Sequence, residues 1–327
     1  MTKMTTGERT ALVLGANGGV GGEIAAALLA RGWHVTALVR DPALADRRWS
    51  AAVTPDWVKG DAMDRESVVS AAADASVIVH AVNPPGYRDW DRLVLPMIDN
   101  TIAAASACGA RIVLPGTIYN FGPDVFDRPL ECVPQNPTTR KGAIRAEMES
   151  RLRDAATAGT PSLVVRCGDF FGPNAANNWF SQGLVKPGRP VHSISYPGDE
   201  GVGHQWAYLP DVGETVARLL DREEELSPFE VFHMEGHWDP DGTRIIAAIR
   251  NAAGNPDIPV RRFPWWLVTL ASPVVALFRE LLEVRYLWRI PLRMTNRKLV
   301  GFLGEEPHTD WDTAMRRTLA GLGCLTV

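Results

Sequence analysis

Gly15, Gly18 and Gly21 stand three residues apart in the segment Gly15-Ala16-Asn17-Gly18-Gly19-Val20-Gly21, after the apolar run Thr10 to Leu14 and before a helical pattern from Glu23 to Ala30. Each glycine has a physical use at this spacing. The first permits a tight turn, the second lets the backbone approach a pyrophosphate, and the third lets the helix pack closely on the strand. Asn17, Gly19 and Val20 complete the loop, and the helix N-terminus behind it favours negative charge. The segment predicts a dinucleotide phosphate cradle.

The end of the next strand selects between nicotinamide cofactors. NAD-binding folds place an acidic residue there for the ribose 2′-hydroxyl. Here the strand His34 to Val39 runs into Arg40, and a guanidinium suits a 2′-phosphate. Asp41, followed by Pro42, reads as the N-cap of the next helix. The expected cofactor is NADP(H) in preference to NAD(H).

A second group of charged residues lies on the long helix predicted over residues 138–158. Ile144, Met148 and Leu152 repeat at i, i+4, i+8 and should face a sheet. Lys141 and Arg145 are one turn apart beside that stripe. Such charges need partners, and cofactor hydroxyls or phosphates would supply them. The plainer alternative is stems snorkelling at the helix edge, or a local Arg145–Glu149 pair.

These residues must be positioned by the elements around them. Short apolar runs at 10–15, 34–39, 57–60, 76–82, 111–114 and 162–166 alternate with helical patterns. That rhythm implies an α/β fold, a doubly wound parallel Rossmann-type sheet. After Gly172 the rhythm breaks into Pro- and Gly-rich loops, and beyond Asp239 the pattern is mostly helical. The expected division is a nucleotide-binding domain over 8–172, its sheet completed by parts of 205–235. Residues 173–204 and 236–327 form a smaller, mostly helical C-terminal substrate lobe.

In this order the motifs resemble those of the extended and atypical short-chain dehydrogenase/reductases, the NAD-dependent epimerase/dehydratase superfamily. Beside the glycine loop, Gly60-Asp61-Ala62 resembles the adenine-contacting segment, and Ala81-Val82-Asn83 the turn beside the nicotinamide ribose. Residues 165–173 (VRCGDFFGP) resemble the stretch behind the nicotinamide, and 206–212 (WAYLPDV) a later family segment. Thr117, in Pro115-Gly-Thr-Ile-Tyr-Asn-Phe-Gly122, falls on the catalytic Ser/Thr position, where its hydroxyl would donate to a substrate oxygen. A turn threonine bonded to its own backbone is the plainer alternative.

The family's catalytic Tyr-x-x-x-Lys is absent. No tyrosine lies between Gly122 and Pro161. Lys141 stands at the tyrosine position and Arg145 at the lysine position. Residues 141–149 (KGAIRAEME) resemble the corresponding helix of isoflavone-reductase-like enzymes, which use a lysine in place of the tyrosine. The resemblance implies an NADPH-dependent reductase of a small, apolar or aromatic substrate. Lys141 would be proton donor or electrostatic stabiliser and Thr117 hydrogen-bond donor, with Tyr119 a second candidate donor. Whether the lysine serves the substrate or only grips the cofactor stays open. The rival readings are an epimerase or dehydratase of a sugar-nucleotide-like substrate, and a non-catalytic NADP(H) sensor. The assembly the resemblance allows is a homodimer through paired helices.

Composition narrows the partners. The 327 residues are 46% hydrophobic and 22% charged with a net charge of -4, a globular chain with no basic footprint for nucleic acid. Four dispersed cysteines read as reduced thiols of a cytoplasmic protein, and the N-terminal residues lack an apolar signal core. The seven histidines show no metal-ligand spacing, so no metal is expected. Residues 83–90, 177–179, His204 and Trp206 are expected near the substrate cleft. The apolar run from Trp265 to Phe278, broken by Pro273, is too short to span a bilayer. It is expected as a buried helix pair, favoured over membrane contact, so no membrane partner is expected; a substrate lining or a dimer face is the further alternative.

Overall fold

The computed structural model describes residues 9–84, 89–126, 129–174 and 178–325. Within the nucleotide-binding half lie β1 (Thr10–Leu14), β2 (His34–Val39), β3 (Asp56–Lys59), β4 (Val77–His80), β5 (Arg111–Thr117) and β6 (Ser162–Cys167). The remaining strands are β7 (Asp169–Phe171), β8 (Ile194–Tyr196), β9 (His204–Tyr208), β10 (Phe229–His233), β11 (His237–Asp239) and β12 (Val260–Arg262). Seven of these form one sheet in the order β10-β6-β5-β4-β1-β2-β3, and every neighbouring pair in it is parallel. The order reverses direction between β1 and β4, which opens a crevice at the carboxyl ends of those strands.

The helices between them are α1 (Gly19–Ala30), α2 (Pro42–Arg48), α3 (Arg65–Ala71), α4 (Trp90–Cys108), α5 (Arg140–Thr157) and α6 (Leu209–Leu220). The strands are apolar on both faces because helices cover both. Ala11 and Val13 of β1 pack with Ile24, Leu28, Val212 and Val216 of α1 and α6. Leu12 and Leu14 pack on the other face with Val68, Val94, Ile98, Met148 and Leu152 of α3, α4 and α5. The alternation is the period-two pattern of a strand. Gly213 allows α1 and α6 to approach closely, since a Cβ there would sit 2.6 Å from the Glu23 carbonyl oxygen.

Helix starts follow the capping chemistry. Asp41 caps α2 by accepting from Leu44 N at 3.0 Å, with Pro42 in the first turn, as its sequence predicts. Thr139 caps α5 by accepting from Gly142 N at 3.0 Å. Gly109, at φ 77, ends α4.

The lobe contains α7 (Thr243–Ala252), α8 (Trp265–Ala271), α9 (Ala276–Glu283), α10 (Arg297–Leu303) and α11 (Trp311–Gly321). It also holds a three-stranded sheet, β11-β9-β7, and a two-stranded one, β12-β8. Aromatic rings knit it together. His204 stacks on Trp288 at 3.9 Å between centroids, and Trp288 meets Trp206 at 5.7 Å and Trp179 at 5.3 Å.

The apolar run from Trp265 onward folds as the expected helix pair, but it is not buried. Trp265 and Val268 face the lobe, while Trp266, Leu270 and Val274 are 71%, 72% and 84% exposed. The pair lies on the surface and has only one narrow face against the protein, so its other apolar side chains point to solvent. No helix among the described residues is long and apolar enough to cross a membrane.

Candidate active site

The glycine loop has the geometry its sequence predicts. Gly15 sits at φ +94, and a Cβ there would lie 2.5 Å from the Ala81 carbonyl oxygen. A Cβ on Gly21 would lie 2.3 Å from the Gly15 carbonyl oxygen and 3.0 Å from the Ala81 Cβ. Both contacts are closer than any side chain tolerates, so glycine is required for β1, α1 and the end of β4 to meet. Gly18 N donates to Gly15 O at 2.9 Å and closes the turn. Gly18 is also the N-cap of α1 and offers no side-chain cap. The first amides of α1, from Gly19 and Val20, therefore have no side-chain acceptor from that cap and suit a phosphate. The residues present fit a dinucleotide.

Around this loop, Asn17 and Arg40 are exposed at the mouth of the crevice. Asp61 is exposed, and its carboxylate accepts from Met63 N at 2.9 Å. Ala62 is buried, and its carbonyl accepts from Asn100 Nδ2 at 2.9 Å. Ala81 N donates to Leu14 O at 2.9 Å and continues the sheet towards Val82 and Asn83.

From Asn83 a line of contacts leads to α5. Arg145 Nη2 donates to Asn83 Oδ1 at 3.4 Å, and its guanidinium lies 5.0 Å from the ring centre of buried Trp90. Lys141 lies one turn earlier on α5, its Nζ 5.9 Å from the same ring. Ile144, Met148 and Leu152 are buried against the sheet, as their spacing predicts. Glu149 pairs across to Arg166 of β6, not along the helix with Arg145. Arg166 Nε and Nη2 donate to it at 3.0 and 2.5 Å, and Asn120 Nδ2 and Gln135 Nε2 at 2.9 and 2.6 Å. Every partner of this buried carboxylate is a donor, which is the condition for burying a charge.

Lys141 is fully buried. Its Nζ donates to Glu280 of α9 and, at 2.7 Å, to Glu283. Its backbone N also donates to Glu283, at 2.6 Å. Removing an ammonium from water costs several kcal/mol unless it is paired and hydrogen-bonded; here two carboxylates from the lobe supply the pairing. Arg140 donates to the same Glu280 at 3.0 Å. Lys141 thus bridges α5 to α9 of the lobe.

Thr117 ends β5, and its Oγ accepts from Tyr119 N at 3.1 Å. That is the turn bond anticipated as the plainer alternative for this residue. The hydroxyl also approaches Asn120 Oδ1 at 3.4 Å. Tyr119 is 8% exposed. Its carbonyl oxygen lies where a Cβ on Gly142 would come within 2.3 Å, so the first turn of α5 rests directly on the Thr117–Tyr119 turn. The fold therefore brings Asn83, Arg145, Lys141, Thr117 and Tyr119 to the same end of the sheet.

Several residues were not singled out from the sequence. Glu280 and Glu283 stand at i and i+3 on one helix face; the spacing is legible, but their partner lies 139 and 142 residues away. Asp169 forms a buried pair at 2.8 Å with His204, which the sequence places near the cleft. His80, at the end of β4, is buried with Nδ1 2.7 Å from Thr101 Oγ. Burial, with Arg145 adding to it, pushes its pKa down to about 3. Burial also pushes up the Tyr286 phenol, with Asp169 and Glu283 adding to it. Trp179 and Trp206 belong to the lobe's aromatic core. Residues 85–88 and Asn177 lie outside the described residues.

Away from this cleft, Asp211, His237 and His308 each place one potential ligand atom within 4.8 Å of the others. Both Asp211 oxygens accept from Thr309, its N at 2.8 Å and its Oγ at 2.7 Å. His237 bonds the Thr309 carbonyl at 2.7 Å. These bonds account for the cluster as a clasp on the loop before α11.

Residues 15–144 match a family model described as NAD(P)H-binding. The chain is 32% identical over 177 residues to a 3-diazoavenalumate denitrifying reductase of Streptomyces sp., which covers 50% of this chain and 56% of the relative. The chain spans about half the length of the curated relatives it matches. Among solved structures, the UDP-glucose 4-epimerase of Thermus thermophilus, complexed with NAD, is 21% identical. It superposes with a TM-score of 0.71 over 96% of this chain and 98% of that one. The UDP-N-acetylglucosamine 4-epimerase of Bacillus cereus is 15% identical, with a TM-score of 0.72 over 98% of each chain. The chain shares the fold of these solved epimerases, and its residues 15–144 form an NAD(P)H-binding domain.

Proposed function

We propose that this protein is an NADPH-dependent reductase of a small, apolar or aromatic electrophile, and that arenediazonium compounds are the substrate class. The observation that carries the proposal is Lys141. It occupies the position of the family's proton-donating tyrosine, yet its Nζ is held by Glu280 and Glu283. An ammonium held in this way is an electrostatic post that fixes the site and orients charge. The chemistry that suits it is a reduction needing no proton from that position. When bound, the nicotinamide supplies a hydride; on a diazonium carbon this forms a C–H bond as the C–N bond breaks and its electron pair leaves with dinitrogen. The similarity to a denitrifying reductase supports this choice.

The roles of the chain's own residues follow from their places. The loop from Gly15 to Gly21, with Asn17, Gly18, Gly19 and Val20, holds the pyrophosphate. Arg40 takes the 2′-phosphate that distinguishes NADPH from NADH. Asp61 and Ala62 border the adenine, and Ala81, Val82, Asn83 and Arg145 line the nicotinamide ribose. Thr117 donates a hydrogen bond to the substrate, with Tyr119 beside it. The test is NADPH consumption against arenediazonium salts, enones, ketones, imines and a UDP-sugar. Turnover of a diazonium salt with release of dinitrogen is expected. Turnover confined to ketones or to the UDP-sugar would contradict the proposal.

A further inference from the structure

We propose that the α8–α9 hairpin is a docking surface for a bilayer that carries anionic phospholipid. Trp266, Leu267, Leu270, Val274, Val275 and Leu277 are all exposed, from 36% to 84%. Other exposed apolar residues, such as Val53, Met63 and Leu130, are scattered singly, which is ordinary for a globular surface. This concentration in one hairpin is not. An apolar cleft of about 200 Å³, lined by Trp179, Phe263, Leu277, Phe278 and Leu281, opens beside it.

Charge identifies the occupant. From Val260 to Ile290 the chain carries five arginines and two glutamates, with no aspartate or lysine. Both glutamates turn inward onto Arg140 and Lys141. Arg279 donates to the carbonyls of Ser272 and Pro273 at the turn between the helices, at 3.3 and 3.1 Å. Arg285 lies 4.9 Å from the Trp265 ring centre, and Arg261 and Arg262 are exposed on β12, just before Phe263. Arg289 is paired with Asp199 at 3.4 Å, so Arg261, Arg262, Arg279 and Arg285 leave this segment positively charged, in a protein whose net charge is -4. Exposed tryptophan and leucine on an arginine-rich segment suit the headgroup level of an anionic leaflet. A second copy placed on the same face by two-fold symmetry would bring the two arginine-rich segments together, which electrostatics disfavours. The helices have seven and eight residues, about 10–12 Å each. They lie in the interface and do not cross it.

This inference stands apart from the proposed reaction, and its test needs no substrate. The full chain is sedimented with vesicles of phosphatidylcholine alone and with vesicles that also contain phosphatidylglycerol. Co-sedimentation with the anionic vesicles, weakened by salt, is expected. The surface variant Trp266→Ser with Leu270→Ser should lower partitioning by about tenfold or more while leaving NADPH affinity unchanged, which reports that the nucleotide domain is intact. Failure of the unaltered chain to sediment with anionic vesicles would overturn the proposal. Equal partitioning by the variant would do so as well. Lipid-free self-association that these substitutions abolish would assign the face to a second copy instead.

Discussion

Replacing Lys141 by methionine keeps the stem and removes the ammonium that Glu280 and Glu283 share, leaving Arg140 as a remaining cation on Glu280. Breaking a buried pair in this way costs about 3–5 kcal/mol, and chemical denaturation should register a loss of that order. Adding Glu283→Gln should recover much of it, because the carboxylate charge left by the lysine disappears with it. Lys141 itself was legible in the sequence from its place beside the Ile144–Met148–Leu152 stripe. Its carboxylate partners were not, because helix periodicity says nothing about which distant element packs on a given face. Arg40 offers a separate test at this scale. Arg40→Ala should weaken NADPH binding by about tenfold to a hundredfold, the value of one charge-assisted phosphate contact, and leave NADH binding unchanged in a fluorescence titration. The buried histidines set a pH dependence. Burial holds both His80 and His233 at a pKa of about 3, against an ordinary 6.5. Below 6.5 the unfolded chain takes up protons that the folded chain refuses. The stability they contribute is complete above that pH and is lost as pH falls towards 3. Denaturation midpoints should decline across that window, and less steeply in His80→Asn.

At the scale of elements, the nucleotide loop makes the sharpest prediction. Gly15→Ala forces a side chain into a φ of +94 and towards the Ala81 carbonyl, and Gly21→Ala drives a Cβ into Gly15 O. Each should cost about 1–3 kcal/mol in stability and abolish measurable NADPH binding, with thermal melting and titration as the readouts. The loop was readable because its function depends on local backbone geometry, which glycine spacing encodes directly. The strands β1 and β4 were readable for a related reason: a buried parallel strand is a nearly uninterrupted apolar run. The α8–α9 hairpin shows where that reasoning stops. Apolarity predicts burial only if the rest of the chain supplies a cover, and here Trp266 and Leu270 stay exposed.

The whole molecule sets a dinucleotide crevice against a lobe whose α9 reaches back to α5. The parallel sheet and its switch point follow from the strand–helix rhythm of the first half. The lobe's short strands and aromatic packing do not, because pairs such as His204–Trp288 and Asp169–His204 join segments far apart in sequence. The joint between the two parts, Lys141 with Glu280 and Glu283, is also where the proposed chemistry departs from a tyrosine relay. The measurement that bears on it most directly follows the hydride. Stereospecifically 4-deuterated NADPH is incubated with the protein and an arenediazonium salt, and the products are analysed by mass spectrometry and gas detection. Deuterium is expected on the carbon that carried nitrogen, with one equivalent of dinitrogen for each NADPH oxidised. Retention of both nitrogens in the product, or deuterium delivered instead to a carbonyl carbon of a ketone or sugar substrate while the diazonium salt is untouched, would contradict it.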